Sequence, residues 1–222
     1  LNIFWIILMT NKYMKDEYQK EFIILGDGTQ AMMEWEKPYM EACVQRLQPY
    51  GDVLEIGFGM GYSASEIQKF DVDSHTIIEP DPVVYERALE WASQYEKVQI
   101  VKGSWPYDFD RSKKYDCFFS DPCLFDWPEE LYMFGNCTNI FLLMDSIQNL
   151  AKPKSRYSFY CVVGDGQEYG NRVGAWLETL NVDAIVDLQE CIVSVPDNCE
   201  YVQNKKIYIP YVEVSTNTQN EE

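Results

Sequence analysis

Three glycines at alternate positions, Gly57, Gly59 and Gly61, constrain this chain more than any other feature, because of what lies on either side of them. Asp52-Val-Leu-Glu-Ile56 has the length and apolar character of a short buried strand bounded by turn signals. Tyr62 to Phe70 carries helix formers, with Ile67 and Phe70 on one face. Between them the glycines permit a turn too close for residues with a Cβ. Strand, glycine turn and helix in that order bring backbone N–H groups and a helix N-terminus up to a nucleotide-like ligand at the carboxyl end of a sheet. An ordinary tight loop would explain the glycines alone, but not a second acid at the right distance. Glu79 ends Ser74-His-Thr-Ile-Ile-Glu79, and a carboxylate at the tip of a second strand can accept from both hydroxyls of a ribose. A dinucleotide fingerprint needs G-x-G-x-x-G, and Tyr62 stands where its last glycine belongs, so the register disfavours a nicotinamide dehydrogenase.

The rest of the chain reads as alternating helices and strands. Ala31 to Leu47 is expected to be helical, interrupted at Pro38, with Met32, Trp35, Tyr39 and Met40 on one apolar face. After Glu79, Pro80-Asp81-Pro82 opens a helix through Trp91, Pro82 suiting a first helical turn. Val98 to Val101 is a third strand, followed by Gly103-Ser104-Trp105-Pro106 at its carboxyl end. Tyr115 to Asp121 is a fourth strand, Asn139 to Leu150 a helix, Ala151 to Ser155 a turn, and Tyr157 to Val163 a fifth strand broken by Gly164-Asp-Gly166. Arg172 to Leu180 is helical, and Ala184 to Val195 with Lys206 to Val214 forms a closing hairpin. This order predicts an α/β fold with a mainly parallel, seven-stranded sheet and an antiparallel edge hairpin. The expected organisation is an N-terminal extension over residues 1–21, one domain over 22–215 and a loose tail over 216–222.

Charge narrows the partners. A formal net charge of −18, with no basic stripe, argues against nucleic acid. It agrees with an acidic solvated surface and with a cationic small substrate. The apolar run Leu1 to Leu8 is too short to span a bilayer and lacks the features of a signal peptide. It is expected to be translated sequence upstream of an initiator Met9, or a tail. Seven scattered cysteines without C-x-x-C pairs indicate reduced thiols and a cytoplasmic protein; separately, a monomer or homodimer is expected. One histidine, His75, leaves almost no material for a metal site or a histidine-based triad, and none is expected.

Ligands in open α/β sheets bind outside the carboxyl ends of the strands. Asp121 ends the strand expected beside the first, where it reads equally as a turn-starting residue before Pro122 or as a carboxylate aimed at a bound cofactor. Glu36, alone on a half-apolar helix, reads first as part of a solvated face.

Glu55, two residues before G-x-G-x-G, makes this stretch resemble the first motif of Rossmann-like class I S-adenosylmethionine (SAM) methyltransferases. A more specific likeness lies in Ala31-Met-Met-Glu-Trp-Glu-Lys-Pro-Tyr-Met40, Val53-Leu-Glu-Ile-Gly-Phe-Gly-Met60, Ile77-Ile-Glu79, Gly103-Ser-Trp105 and Ser120-Asp121. From about residue 22 to about 215 the chain resembles the guanidinoacetate N-methyltransferase family, which makes creatine, and the related arginine δ-N-methyltransferases. The resemblance implies a SAM cofactor, with S-adenosylhomocysteine (SAH) as its product, beneath an N-terminal helical lid. Gly57, Phe58, Gly59, Met60, Gly61 and Tyr62 would wrap its amino-acid part, with Glu55 behind them. Glu79, Pro80 and Asp81 would meet the ribose, Gly103 to Pro106 the adenine through Trp105, and Met32 and Met40 would close over it. Glu36 and Asp121 would hold the substrate's guanidinium, Asp121 accepting its proton. Trp35, Ser120, Val163 and Gly164 would complete the substrate pocket.

The chain departs from that family where the substrate's acetate would lie. Ser120 replaces a tyrosine, Pro122-Cys123-Leu124 replaces Thr-Tyr-Pro, and Val162-Val163-Gly164-Asp165 replaces an Asn-Leu-Thr stretch. Asp165 and Glu168 would repel a carboxylate if they faced the pocket. Arginine or another small amine is thus an alternative substrate, and a non-catalytic SAM-binding module an alternative of a different class.

Overall fold

A computed structural model of the protein describes residues 11–105, 107–121, 148–162, 166–202 and 205–215. Ten strands and four α-helices are described. β1 (Lys12–Lys15), β2 (Glu21–Ile24) and β3 (Gln30–Met33) form a small antiparallel sheet. A 3₁₀ turn, Glu34–Glu36, leads into α1 (Lys37–Leu47). The main sheet follows with β4 (Gly51–Ile56), α2 (Tyr62–Ile67), β5 (Val72–Glu79), α3 (Pro82–Ala92), β6 (Val98–Lys102) and β7 (Tyr115–Ser120). It ends with β8 (Ala151–Phe159), α4 (Gly166–Thr179), β9 (Asp183–Ile192) and β10 (Lys206–Ser215). Its order is β6-β5-β4-β7-β8-β10-β9, parallel from β6 to β8, with β10 antiparallel to both neighbours.

The central strands are buried on both faces, which is why they read as apolar runs rather than alternating ones. Val53, Cys117 and Phe119 face a core shared with Tyr39, Met40, Val44 and Leu47 of α1. Leu54, Ile56 and Phe118 face the opposite core, with Val173 and Leu177 of α4. The order reverses at β4, whose neighbours β5 and β7 lead away in opposite directions, so the crevice for a ligand opens at the carboxyl end of β4.

Two expectations need correction. The N-terminal lid is chiefly a β-meander, and Met32 and Met33 pair with Ile23 and Phe22 as a strand instead of starting a helix. Pro38 explains the boundary. It sits in the first turn of α1, where a missing N–H costs nothing, and the helix begins there. The meander also reaches into the expected extension: Lys12–Lys15 is one of its strands. The second correction concerns Ala151 to Ser155, expected as a turn, which is the first half of β8. Residues 1–8, the tail 216–222 and nearly all of the expected helix over 139–150 lie outside the described residues. Among the described residues no helix is long and apolar enough to cross a membrane.

Candidate functional site

Local hydrogen bonds fix the turn after β4. Gly57 N donates to Ile78 O (2.9 Å) and Gly61 N to Phe58 O (2.8 Å). Gly57, Gly59 and Gly61 all have positive φ (88°, 53° and 71°), which L side chains adopt only under strain. At Gly59 space is limiting too, since a Cβ would stand 2.8 Å from Met32 Sδ. The meander therefore packs directly on the glycine turn. Met32 Sδ also accepts from Met60 N (3.4 Å), and Tyr13 O–H donates to Gly59 O (2.6 Å). The Arg87 guanidinium covers the Tyr13 ring at 3.9 Å and forks onto both oxygens of Glu21 at 2.9 Å, tying β1, β2 and α3 together.

Above this turn lies a cavity of about 480 Å³. Of the residues anticipated for the cofactor, Met32, Gly57, Gly59, Glu79, Pro80, Asp81, Ser104, Trp105 and Asp121 line it. Asn11, Ile23, Leu25 and Tyr160 line it as well and were not anticipated. Glu79 Oε2 accepts from Phe58 N and its Oε1 from Asp81 N, each at 2.9 Å. Burial pushes the Glu79 carboxyl up to about 7, against those backbone bonds. Asp81 spends Oδ1 on capping α3, accepting from Val83 N and Val84 N, while its Oδ2 accepts from Asn11 N (3.1 Å). Asp121 follows β7 directly, and its N–H donates to Ile56 O (3.0 Å), which holds it beside the glycine turn.

The remaining anticipated residues stand behind this surface. Glu55 is fully buried, accepts from Ser63 O–H through Oε1, and has Oε2 2.8 Å from His75 Nε2. It braces the turn from below instead of lining the cavity. Met40 belongs to the core under α1, Met60 packs beside it, and Phe58 turns into a cluster with Ala64, Val84 and Ala88. Gly61 begins α2 against the Phe58 ring, and Tyr62 is half-buried with the Lys37 ammonium over its face. Gly103 lies below the cavity, its N–H donating to Glu79 O (3.3 Å). Pro106, Val163, Gly164 and Asp165 lie outside the described residues. Glu168 is exposed on α4 and paired with Arg172, so it does not face the pocket.

Glu36 is not on a solvated face. It is 2% exposed, at the end of the 3₁₀ turn. Its Oε1 accepts from Met33 N (3.0 Å) and from the Tyr201 hydroxyl, and the Tyr160 hydroxyl lies close enough to favour its ionised form. Burial pushes the Glu36 carboxyl up to about 8, with the nearby Asp121 adding to the shift and the three donors opposing it. Burial likewise pushes Asp121 up to about 7, reinforced by the charge of Glu55. Trp35 packs on the core beside Glu36, and Ser120 is buried with its carbonyl accepting from Tyr160 N (3.1 Å). Tyr160 and Tyr201 carry no motif that would have flagged them: each follows a strand or loop whose closure on Glu36 is a tertiary event.

A SAM-sized ligand fits what is present. The volume lies within the range of about 300–1,000 Å³ usual for small-molecule sites. Glu79, Asp81 and Asp121 line the cavity, and no Lys or Arg does among the described residues, which suits a cationic ligand. The Trp105 indole N–H is buried without a partner among the described residues. Among those residues no group of three His, Cys, Asp or Glu is placed to hold a metal.

Comparison with known proteins gives three findings. A sequence profile of the family described as guanidinoacetate N-methyltransferase matches residues 9–119, half of the chain. Protein arginine N-methyltransferase 2 of Saccharomyces cerevisiae is 29% identical over 163 residues, covering 68% of this chain and 38% of that protein. The protein of the same name from Candida glabrata is 26% identical over 215 residues, covering 87% of this chain and 51% of its own length. The chain thus spans only 38% to 51% of these two curated relatives. Spermidine synthase from Thermotoga maritima shares the fold, with a TM-score of 0.62 at 16% identity over 95% of this chain and 70% of that one. So does the N-methyltransferase NodS from Bradyrhizobium japonicum, solved with SAH, with a TM-score of 0.55 at 13% identity over 83% and 89%.

Proposed function

The chain belongs to the guanidinoacetate N-methyltransferase family, a family of SAM-dependent methyltransferases, and we propose that it methylates a nitrogen of a small guanidino compound, nominally guanidinoacetate to creatine. The observation that carries this reading is a pair of carboxylates beside the glycine turn, Glu36 buried and Asp121 lining the cavity, near enough that the charge of Asp121 raises Glu36's cost of ionisation. Two acids do not share a buried site cheaply unless something positive joins them. A guanidinium is planar, and its paired N–H donors match carboxylate geometry through charge-assisted bonds.

Glu79, the glycine turn, Met32 and Trp105 would hold SAM, which supplies an electrophilic methyl group on a cationic sulfur. A cationic substrate brought about 4 Å from that charge meets a repulsion of roughly 4 kcal/mol at an effective dielectric near 20. Ionised Glu36 and Asp121 offset it. The nitrogen gains a methyl group and loses a proton, so the substrate leaves with the charge it brought. Asp121, poised near neutrality, accepts that proton, and Glu36 holds the guanidinium in line. The meander covers the cavity and keeps water from the reacting atoms.

The curated relatives named for arginine support a second substrate with the same head group, the side chain of free or peptide-borne arginine. The exclusively acidic character of the described charged lining favours neither, because both carry a guanidinium. Methyl transfer from radiolabelled SAM to guanidinoacetate, free arginine, an arginine peptide and simple amines separates them. Turnover on a guanidine supports the proposal. No turnover on any of them, with SAM still bound, points to a non-catalytic module.

A further inference from the structure

The loop joining β9 to β10 crosses back to the N-terminal meander. Gln30 Nε2 donates to Asn198 O (3.0 Å), Gln30 Oε1 accepts from Glu200 N (2.9 Å), and Asn198 Nδ2 donates to Asp16 Oδ2 (3.1 Å). These three bonds seat the loop, and Val202 is buried beyond them. The next contact serves a different purpose. The Tyr201 hydroxyl donates to Glu36 Oε1, across 165 residues of chain, onto the same oxygen that accepts Met33 N–H.

A glutamate has three side-chain torsions, and a working carboxylate pair has to be held within about half an ångström of its productive geometry. The Met33 bond comes from the glutamate's own turn and fixes that oxygen from one direction only. The second donor arrives from the far edge of the sheet. We propose that Tyr201 is a positioning residue of the methyl-transfer reaction, holding Glu36 in the orientation in which it and Asp121 together grip the cationic group. This rests on the reading of the reaction given above.

The surroundings make the effect specific. Glu36 is faced by Asp121 after β7, Tyr160 after β8, Tyr62 at the start of α2 and Tyr201, with Cys199 beside the two later tyrosines. Among these neighbours only hydroxyl donors favour its ionised form, and Asp121 opposes it. Loss of one donor therefore moves the titration of Glu36 upward. The carboxylate is then more often protonated at neutral pH and grips a cation less well.

The test is Tyr201→Phe in the full chain, which keeps the ring and the three seating bonds and removes one O–H. Carbon-13 NMR of glutamate-labelled protein with SAH bound reads the Glu36 carboxyl directly, its signal identified by its loss in Glu36→Gln. The midpoint is expected to rise by about one pH unit, and KM for the methylated guanidine by about tenfold, as fits one hydrogen bond to a charged group. kcat and SAH affinity are expected to change by less than about threefold on the same grounds. Gln30→Ala, which cuts two seating bonds but keeps the hydroxyl, is expected to lower thermal stability and leave the Glu36 midpoint in place. An unmoved midpoint with unchanged KM in Tyr201→Phe overturns the assignment, as does an equal shift in Gln30→Ala. A moved midpoint without turnover on any guanidine or amine fails the reading of the reaction and takes the positioning role with it.

Discussion

The two ends of the same strands hold carboxylates in opposite conditions. At the amino ends of β4 and β7, Asp52 accepts from Lys152 (2.7 Å) and lies 3.1 Å from Lys113, and Asp116 accepts from Lys152 (2.7 Å). Partial burial works against ionisation of Asp52, but its bonds from Lys152, Ser74 and Lys113 outweigh that and hold the carboxyl well below the usual range. At the carboxyl ends, Glu79 and Asp121 line the cavity and Glu36 lies beside it, and burial drives all three toward neutrality. One end is neutralised by its own lysines and is structural. The other is an acidic site closed by hydroxyls and backbone amides, and a cationic ligand would complete it.

The contrast breaks first at Asp121. Asp121→Asn keeps the shape and removes the proton acceptor, so turnover is expected to fall by roughly 10²- to 10⁴-fold. SAM affinity by titration calorimetry should stay within a few fold, and undiminished turnover would move the base elsewhere. Glu36→Gln is next: it removes one half of the grip, and KM for the guanidine is expected to rise by roughly 30-fold or more. A Glu36→Gln enzyme with unchanged KM would show that this carboxylate pair is not what the substrate meets.

Acid and alkali should act on the two ends with opposite sign. Carboxyls raised to about 7 or 8 bind more protons folded than unfolded between pH 4.5 and 8. The stability they contribute is full below the unfolded value and is lost as pH rises through the folded one, by up to about 1.4 kcal/mol per pH unit for each group. The thermal midpoint of the ligand-free protein is therefore expected to fall between pH 5 and pH 8. Glu36→Gln combined with Asp121→Asn should flatten that slope. The depressed Asp52 works the other way: its contribution is present above pH 4 and lost as pH falls further. The smallest effect is expected at Lys152. Because its ammonium is about one-third exposed and screened, Lys152→Met should cost only about 1 kcal/mol, less in high salt, with turnover unchanged.

Much of the frame was legible because its signals are local. A strand buried on both faces must be apolar along its length, and Val53-Leu54 and Cys117-Phe118-Phe119 are. The segment before it misled for an equally physical reason. Met32, Trp35 and Tyr39 recur at helical intervals, yet Met32 and Met33 are claimed by pairing with Ile23 and Phe22, and propensity yields to the partner strand. Polar Ala151 to Ser155 enters β8 in the same way: Ala151 takes the place beside Tyr115 of β7, the strand on its inner side.

The amino-acid sequence by itself determined the glycine turn, the acid that follows it on β5 and the parallel core around them. Sterics at a Cβ and the pleat's two-residue period act between near neighbours and need no knowledge of the rest. Tertiary structure alone decided that Glu36 would be buried, that the hydroxyl of Tyr201 would reach it, and that Glu55 would brace the turn from beneath. The pKa of a carboxyl depends on how much water and which charges surround it, and those are set only when segments 165 residues apart close on one another.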